Sequence, residues 1–135
     1  MHKNKRKGNT LEQQVAKDLR EQYPFVKTTR ETSKLLDDSK IDLSGLPFLV
    51  QCKAGYNKVK PKYEKLYLEM KVLITQNYPQ NHLIHRVPYV LIHKMNGTKG
   101  KKEPELFQVT MTYELFLELI KNYIFNAQIK KQFQY

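Results

Sequence analysis

The chain predicts an α/β fold with helices packed around a mixed central sheet of about five strands, and three observations carry that expectation. Apolar residues recur at helical spacing in three separate segments. Short β-prone runs lie between them. The run Pro47 to Ala54 (PFLVQCKA) is nearly continuous in apolar residues, as in a strand covered on both faces. The 135 residues suffice for one core and not for two. Residues 1–8 (MHKNKRKG) therefore read as a basic flexible arm and 9–135 as a single domain.

In chain order, Thr10 and Gln13 form a capping box, and Leu11, Val15, Ala16, Leu19 and Tyr23 make the apolar stripe of a first helix that ends at Pro24. Phe25 to Thr29 and Lys40 to Leu43 are short extended pieces, and Ser44-Gly45 turns the chain into the strand Pro47 to Ala54. After the Gly55 break a second helix fits Pro61 to about Tyr78, with Tyr63, Leu66, Tyr67, Met70, Leu73 and Ile74 on one face. Pro88 to Met95 and Glu105 to Met111 then read as an antiparallel hairpin. Thr112 caps a last helix with Tyr113, Phe116, Leu117, Ile120 and Ile124 as its stripe.

Charge narrows the partners. Twenty-four Lys and Arg against 13 Asp and Glu leave a net +11, so a polyanion is the expected partner, and nucleic acid leads because neutralising phosphates releases counterions. The longest apolar runs are far below the roughly 20 residues that span a bilayer, and no apolar stretch follows the basic N-terminus as in a secretory signal. A lone cysteine, Cys52, forms no internal disulfide. A cytoplasmic protein is expected, in a bacterial, archaeal or phage-infected cell.

The chemistry concentrates in one strand. Side chains alternate across a strand, so Gln51 and Lys53 share a face while Val50 and Cys52 share the other. An amide and an ammonium in so apolar a strand cost free energy unless they find partners. If the piece ending at Asp42 pairs with this strand through the Ser44-Gly45 turn, the Asp42 carboxylate falls beside Gln51. Magnesium takes one or two carboxylates completed by neutral oxygens and water, which Asp42, the Gln51 amide and the Cys52 backbone carbonyl can supply. Lys53 can then position or deprotonate the attacking water, or stabilise charge developing at phosphorus. Glu12 lies almost on the buried stripe of the first helix and can approach the same ion directly or through water, although the helix dipole also favours an acid there.

Asp42, a nine-residue step to Gln51, and Gln51-Cys52-Lys53 together resemble the D…(D/E/Q)xK signature of the PD-(D/E)XK, or restriction-endonuclease-like, nuclease superfamily. Within it the chain looks most like the archaeal-type Holliday junction resolvases and related phage nucleases, whose Gly-x-x-x-Glu helix start is matched by Gly8 to Glu12, and whose arginine and serine loop is matched by Arg30 and Ser33. Ile41 stands where the superfamily name records proline, and Gln51 where an acid is commonest. The resemblance implies a restriction-endonuclease-like core and a Mg²⁺- or Mn²⁺-dependent DNA endonuclease. It further implies Asp42, Gln51, Lys53 and Glu12 in the site, branched four-way DNA as substrate, and a homodimer. Lys3, Lys5, Arg6, Lys7, Lys58, Lys60 and Lys62 suit phosphate contacts, with Arg30 and Ser33 carried over. A catalytically inactive nucleic-acid-binding module, or a structural component of a nucleoprotein particle, is the alternative.

Overall fold

A computed structural model describes the backbone of residues 2–56, 60–95 and 106–124, and the side chains of 10–55, 60–95 and 106–122. Among the described residues there are five helices and five strands. They run α1 (His2–Leu19), β1 (Lys27–Thr28), α2 (Thr29–Thr32), α3 (Lys34–Asp38), β2 (Leu43–Ser44), β3 (Leu49–Tyr56), α4 (Tyr63–Asn77), β4 (Tyr89–Met95), β5 (Leu106–Thr110) and α5 (Tyr113–Ile124), with a 3-10 turn at Leu83–Arg86.

The strands form one sheet in the order β1-β2-β3-β4-β5. Only β3 and β4 are parallel, because α4 carries the chain back across the sheet between them; the other pairs are antiparallel. Two apolar cores result. Leu11, Val15 and Ala16 of α1 and Leu115 of α5 pack on Val50, Cys52 and Val90, while Met70 and Ile74 of α4 pack on Leu49, Tyr89 and Leu91. β3 and β4 are thus covered on both faces, which is why their sequences are almost continuously apolar.

Several local expectations are corrected. The helical backbone begins at His2, so the basic residues expected to form an arm continue α1, and Thr10 lies inside the helix where a capping box has no end to cap. No proline interrupts residues 2–19, and the lone Gly8 costs only about 1 kcal/mol. The segment between the first two strands is not plain loop: α2 and α3 occupy it, with the Ser33 hydroxyl accepting the Leu36 N–H at the start of α3. α3 ends in a Schellman motif, with Ile41 N–H bonded to Leu36 O, Lys40 N–H bonded to Asp37 O, and Lys40 at φ 66°. Gly55 does not end β3; it takes φ 92° in a bulge, and the strand runs on to Tyr56. Thr112 does cap α5, its hydroxyl accepting the Leu115 N–H at 3.1 Å.

Candidate functional site

β2 is only two residues long, and the site lies where it stops. The last pair in register is Leu43 with Val50, so β3 continues past β2 with the Cys52 N–H facing an open edge. Asp42 fills that gap with its side chain: Oδ2 accepts the Cys52 N–H at 2.7 Å. Its main chain is held on both sides, the N–H by Val50 O at 2.8 Å and the carbonyl by the Thr29 N–H at 2.9 Å. The Thr29 hydroxyl adds a bond to Ile41 O at 2.6 Å. The N–H and C=O of a strand residue project to the same side, so the Cys52 carbonyl faces the edge that Asp42 occupies. The Cys52 thiol turns into the α1 core, where burial raises its pKa well above the usual thiol range.

Glu12 reaches the same place from α1. It is 3% exposed, and Arg30 grips both its carboxylate oxygens, Nε to Oε2 at 3.2 Å and a terminal nitrogen to Oε1 at 3.3 Å. Its carboxyl lies near enough to that of Asp42 for each to influence the other's ionisation. Burial pushes the Asp42 pKa up to about 7, against the Cys52 N–H bond that favours its ionised form, and the Glu12 charge pushes the same way. Burial also raises Glu12, opposed mainly by Arg30. Two desolvated carboxyl groups near one another cannot both ionise cheaply, so burial and mutual repulsion both favour a protonated form of the pair.

Gln51 and Lys53 lie on the α4 face of β3, as alternation requires. Gln51 is 3% exposed, and its Oε1 accepts the Tyr89 hydroxyl at 2.6 Å. Lys53 is half-buried, and its positive charge favours ionised Asp42. Asp42, Glu12 and Lys53 are therefore close enough to act on one another's charge where the sheet's short edge ends, and Gln51 shares the Lys53 face of β3. Arg30 belongs to Glu12 in this arrangement, and Ser33 serves as a helix cap. Lys60 and Lys62 are exposed just before α4. Lys58 and the side chains of Lys3, Lys5, Arg6 and Lys7 lie outside the described residues.

The donor set fits a hard divalent cation. Among the described residues no three His, Cys, Asp or Glu side chains converge, so the set is two carboxylates with amide and carbonyl oxygens, the composition magnesium accepts and zinc does not. A cation beside Asp42 and Glu12 would also offset the burial that mainly raises the Asp42 pKa, and the smaller Glu12 repulsion. With Arg30 already on both its oxygens, Glu12 is better suited to reach such an ion through water.

Two further residues lie beside these: Tyr89, given no role from the sequence, and His93, expected as a polar loop or strand residue and found in β4. Tyr89 sits on β4, one alternation before Leu91, which is in register with Gln51. His93 is in register with Lys53 on the same face; it is 2% exposed, and neither ring nitrogen has a hydrogen-bond partner among the described residues. The signal available for His93 was the one that singled out Gln51, a polar residue inside an apolar strand, but its use required knowing that β3 and β4 are parallel. His82 and His85 lie at the 3-10 turn, bonded to Ile84 N–H and Pro79 O respectively.

No protein-family model matches the chain, and no curated protein or solved structure matches it. Fold and site define a class only: an α/β protein with a mixed five-stranded open sheet flanked by helices, and a buried carboxylate pair at the end of a short strand. Among the described residues no helix is long and apolar enough to cross a membrane.

Proposed function

We propose that the protein is a metal-dependent DNA endonuclease of the PD-(D/E)XK kind that hydrolyses phosphodiester bonds, with branched DNA as its preferred substrate. The observation that supports this reading is the approach of Asp42 and Glu12 beside β3, with Lys53 near enough to favour ionised Asp42 and Gln51 on the same face of the strand, although the four come from α1, β3 and the segment before β2. Asp42, the Cys52 carbonyl and Gln51 would hold Mg²⁺ or Mn²⁺, with Glu12 behind a water. Such an ion, when bound, would supply positive charge for the scissile phosphate and for activating water.

The chain's own residues do the rest. Asp42, fixed through main chain and side chain, leaves little freedom to its oxygens, and Arg30 keeps Glu12 from swinging away. Lys53 presents an ammonium next to Asp42, where it can orient the attacking water or offset charge on the phosphoryl oxygens in the transition state. The net charge of +11 supports a nucleic-acid substrate, with exposed Lys60 and Lys62 as phosphate contacts. Two symmetric nicks across a four-way junction require two sites related by a two-fold axis, so a homodimer is part of the proposal.

The test is cleavage of labelled four-way junction, duplex and single-stranded DNA in Mg²⁺, Mn²⁺ or EDTA, with Asp42→Ala and Lys53→Ala proteins alongside. Metal-dependent paired nicks on the junction, lost in both variants, are expected. Salt-sensitive binding without cleavage in either metal would replace the proposal with a catalytically silent binding module.

A further inference from the structure

Gln51 occupies the position where a carboxylate would bring its own charge, so its use depends on direction: only the oxygen end of a carboxamide can face a cation. A glutamine side chain has three rotatable bonds, and leaving it unrestrained would forfeit that direction. The Tyr89 hydroxyl at 2.6 Å from Oε1 restrains it, and both residues are 3% exposed, so water does not compete for the bond.

Tyr89 is in turn held by α4. Its ring lies against Tyr63 at 5.3 Å and Tyr67 at 5.8 Å between centroids, and the Tyr63 hydroxyl donates to the Tyr89 carbonyl at 3.3 Å. Tyr63 and Tyr67 stack on one another, 7° from parallel. Burial raises the Tyr89 pKa beyond the ordinary phenol range, so the hydroxyl stays a donor throughout neutral pH. The three rings form a bracket that sets where the phenol oxygen can be.

We infer that Tyr89 is a positioning residue for the cation site, acting through Gln51. This rests on the proposed metal-dependent reading of the site. The hydroxyl bonds one lone-pair region of Oε1 and holds the carboxamide plane, leaving the remaining lone pair directed by a rigid support instead of a freely turning side chain. The hydroxyl works only by way of the Gln51 carboxamide, which separates this role from a general contribution of the ring to packing.

The test is a double-mutant cycle read by Mn²⁺ binding to the DNA-free protein, followed by electron paramagnetic resonance of the free ion. The four proteins are wild type, Tyr89→Phe, Gln51→Ala and the double variant, each checked by thermal melting. Tyr89→Phe keeps the ring bracket and is expected to weaken Mn²⁺ binding about tenfold when Gln51 is present, and to change nothing when Gln51 is alanine. Equal effects in both backgrounds, or none in either, would overturn the inference. Wild-type protein that binds no Mn²⁺ would overturn the cation reading itself, and the inference with it. If Tyr89→Phe does not fold, the Gln51 side-chain amide of the wild type decides by nuclear magnetic resonance. One ordered pair of amide protons that shifts on adding Mg²⁺ supports the inference; a rotationally averaged pair that does not shift overturns it.

Discussion

The Asp42 carboxylate accepts the Cys52 main-chain N–H at 2.7 Å, taking the place of the carbonyl that a longer β2 would have offered. One side chain thus closes the sheet and builds the site, and burying the carboxyl for that double use makes its ionised form costly.

Asp42 binds its proton more tightly in the folded protein, near pH 7, than at its ordinary 3.8 in the unfolded chain. The folded state therefore takes up the extra proton between these values: the stability is full below pH 4 and is lost as pH rises through 7. Asp42→Asn removes the ionisation and retains an acceptor for Cys52. At pH 8 in EDTA it is expected to stabilise the protein by about 2 to 4 kcal/mol, with a gain that shrinks toward pH 4, and under the proposed function to remove cleavage. Urea melts at the two pH values measure it; a variant less stable than wild type at pH 8 would contradict it.

Arg30 is partly exposed and Glu12 is not, so removing the arginine leaves a buried carboxyl with its main counter-charge gone. Arg30→Ala is expected to cost about 1 to 2 kcal/mol after allowance for solvent at the guanidinium. Arg30→Lys should recover only part of that, because an ammonium cannot span both Glu12 oxygens. Denaturant midpoints of the three proteins check the order.

Gly45 takes φ 83° in the turn between β2 and β3, and a Cβ there would lie 2.7 Å from the Phe25 carbonyl oxygen. Both the backbone angle and the space exclude a side chain. Gly45→Ala is expected to destabilise by about 2 kcal/mol or more, whereas Gly55→Ala, at φ 92° with open space around it, should cost about 1 kcal/mol, for the angle alone. A thermal melt that ranks them in the other order would refute the steric account.

His93 has two unpaired ring nitrogens in a buried position, so an apolar side chain of similar size relieves a polar group that the fold leaves unsatisfied. His93→Leu is expected to leave the melting temperature unchanged or raise it by a few degrees, since about 1 kcal/mol shifts a domain of this size by roughly that much. A fall of several degrees would show that the imidazole has a partner in solution.

Much of the architecture was legible in the residues themselves. Alternation placed Gln51 and Lys53 on one face, helical spacing placed Glu12 against the core, and the turn residues paired the Asp42 segment with β3. Each is a local property, determined by backbone period or turn chemistry within a few residues. The short helices α2 and α3 were missed because four or five residues hold too few turns to impress a period on the sequence.

What the sequence determined by itself was therefore a mixed α/β sheet and the strand residues able to carry chemistry. Only the tertiary structure decided who meets whom. The parallel register of β3 with β4 brings Tyr89 to Gln51 across 38 positions of chain and His93 to Lys53 across 40; the ion pair of Arg30 with Glu12 spans 18. Such contacts follow from packing two layers of helices on one sheet, a global balance of burial that no window of neighbouring residues contains.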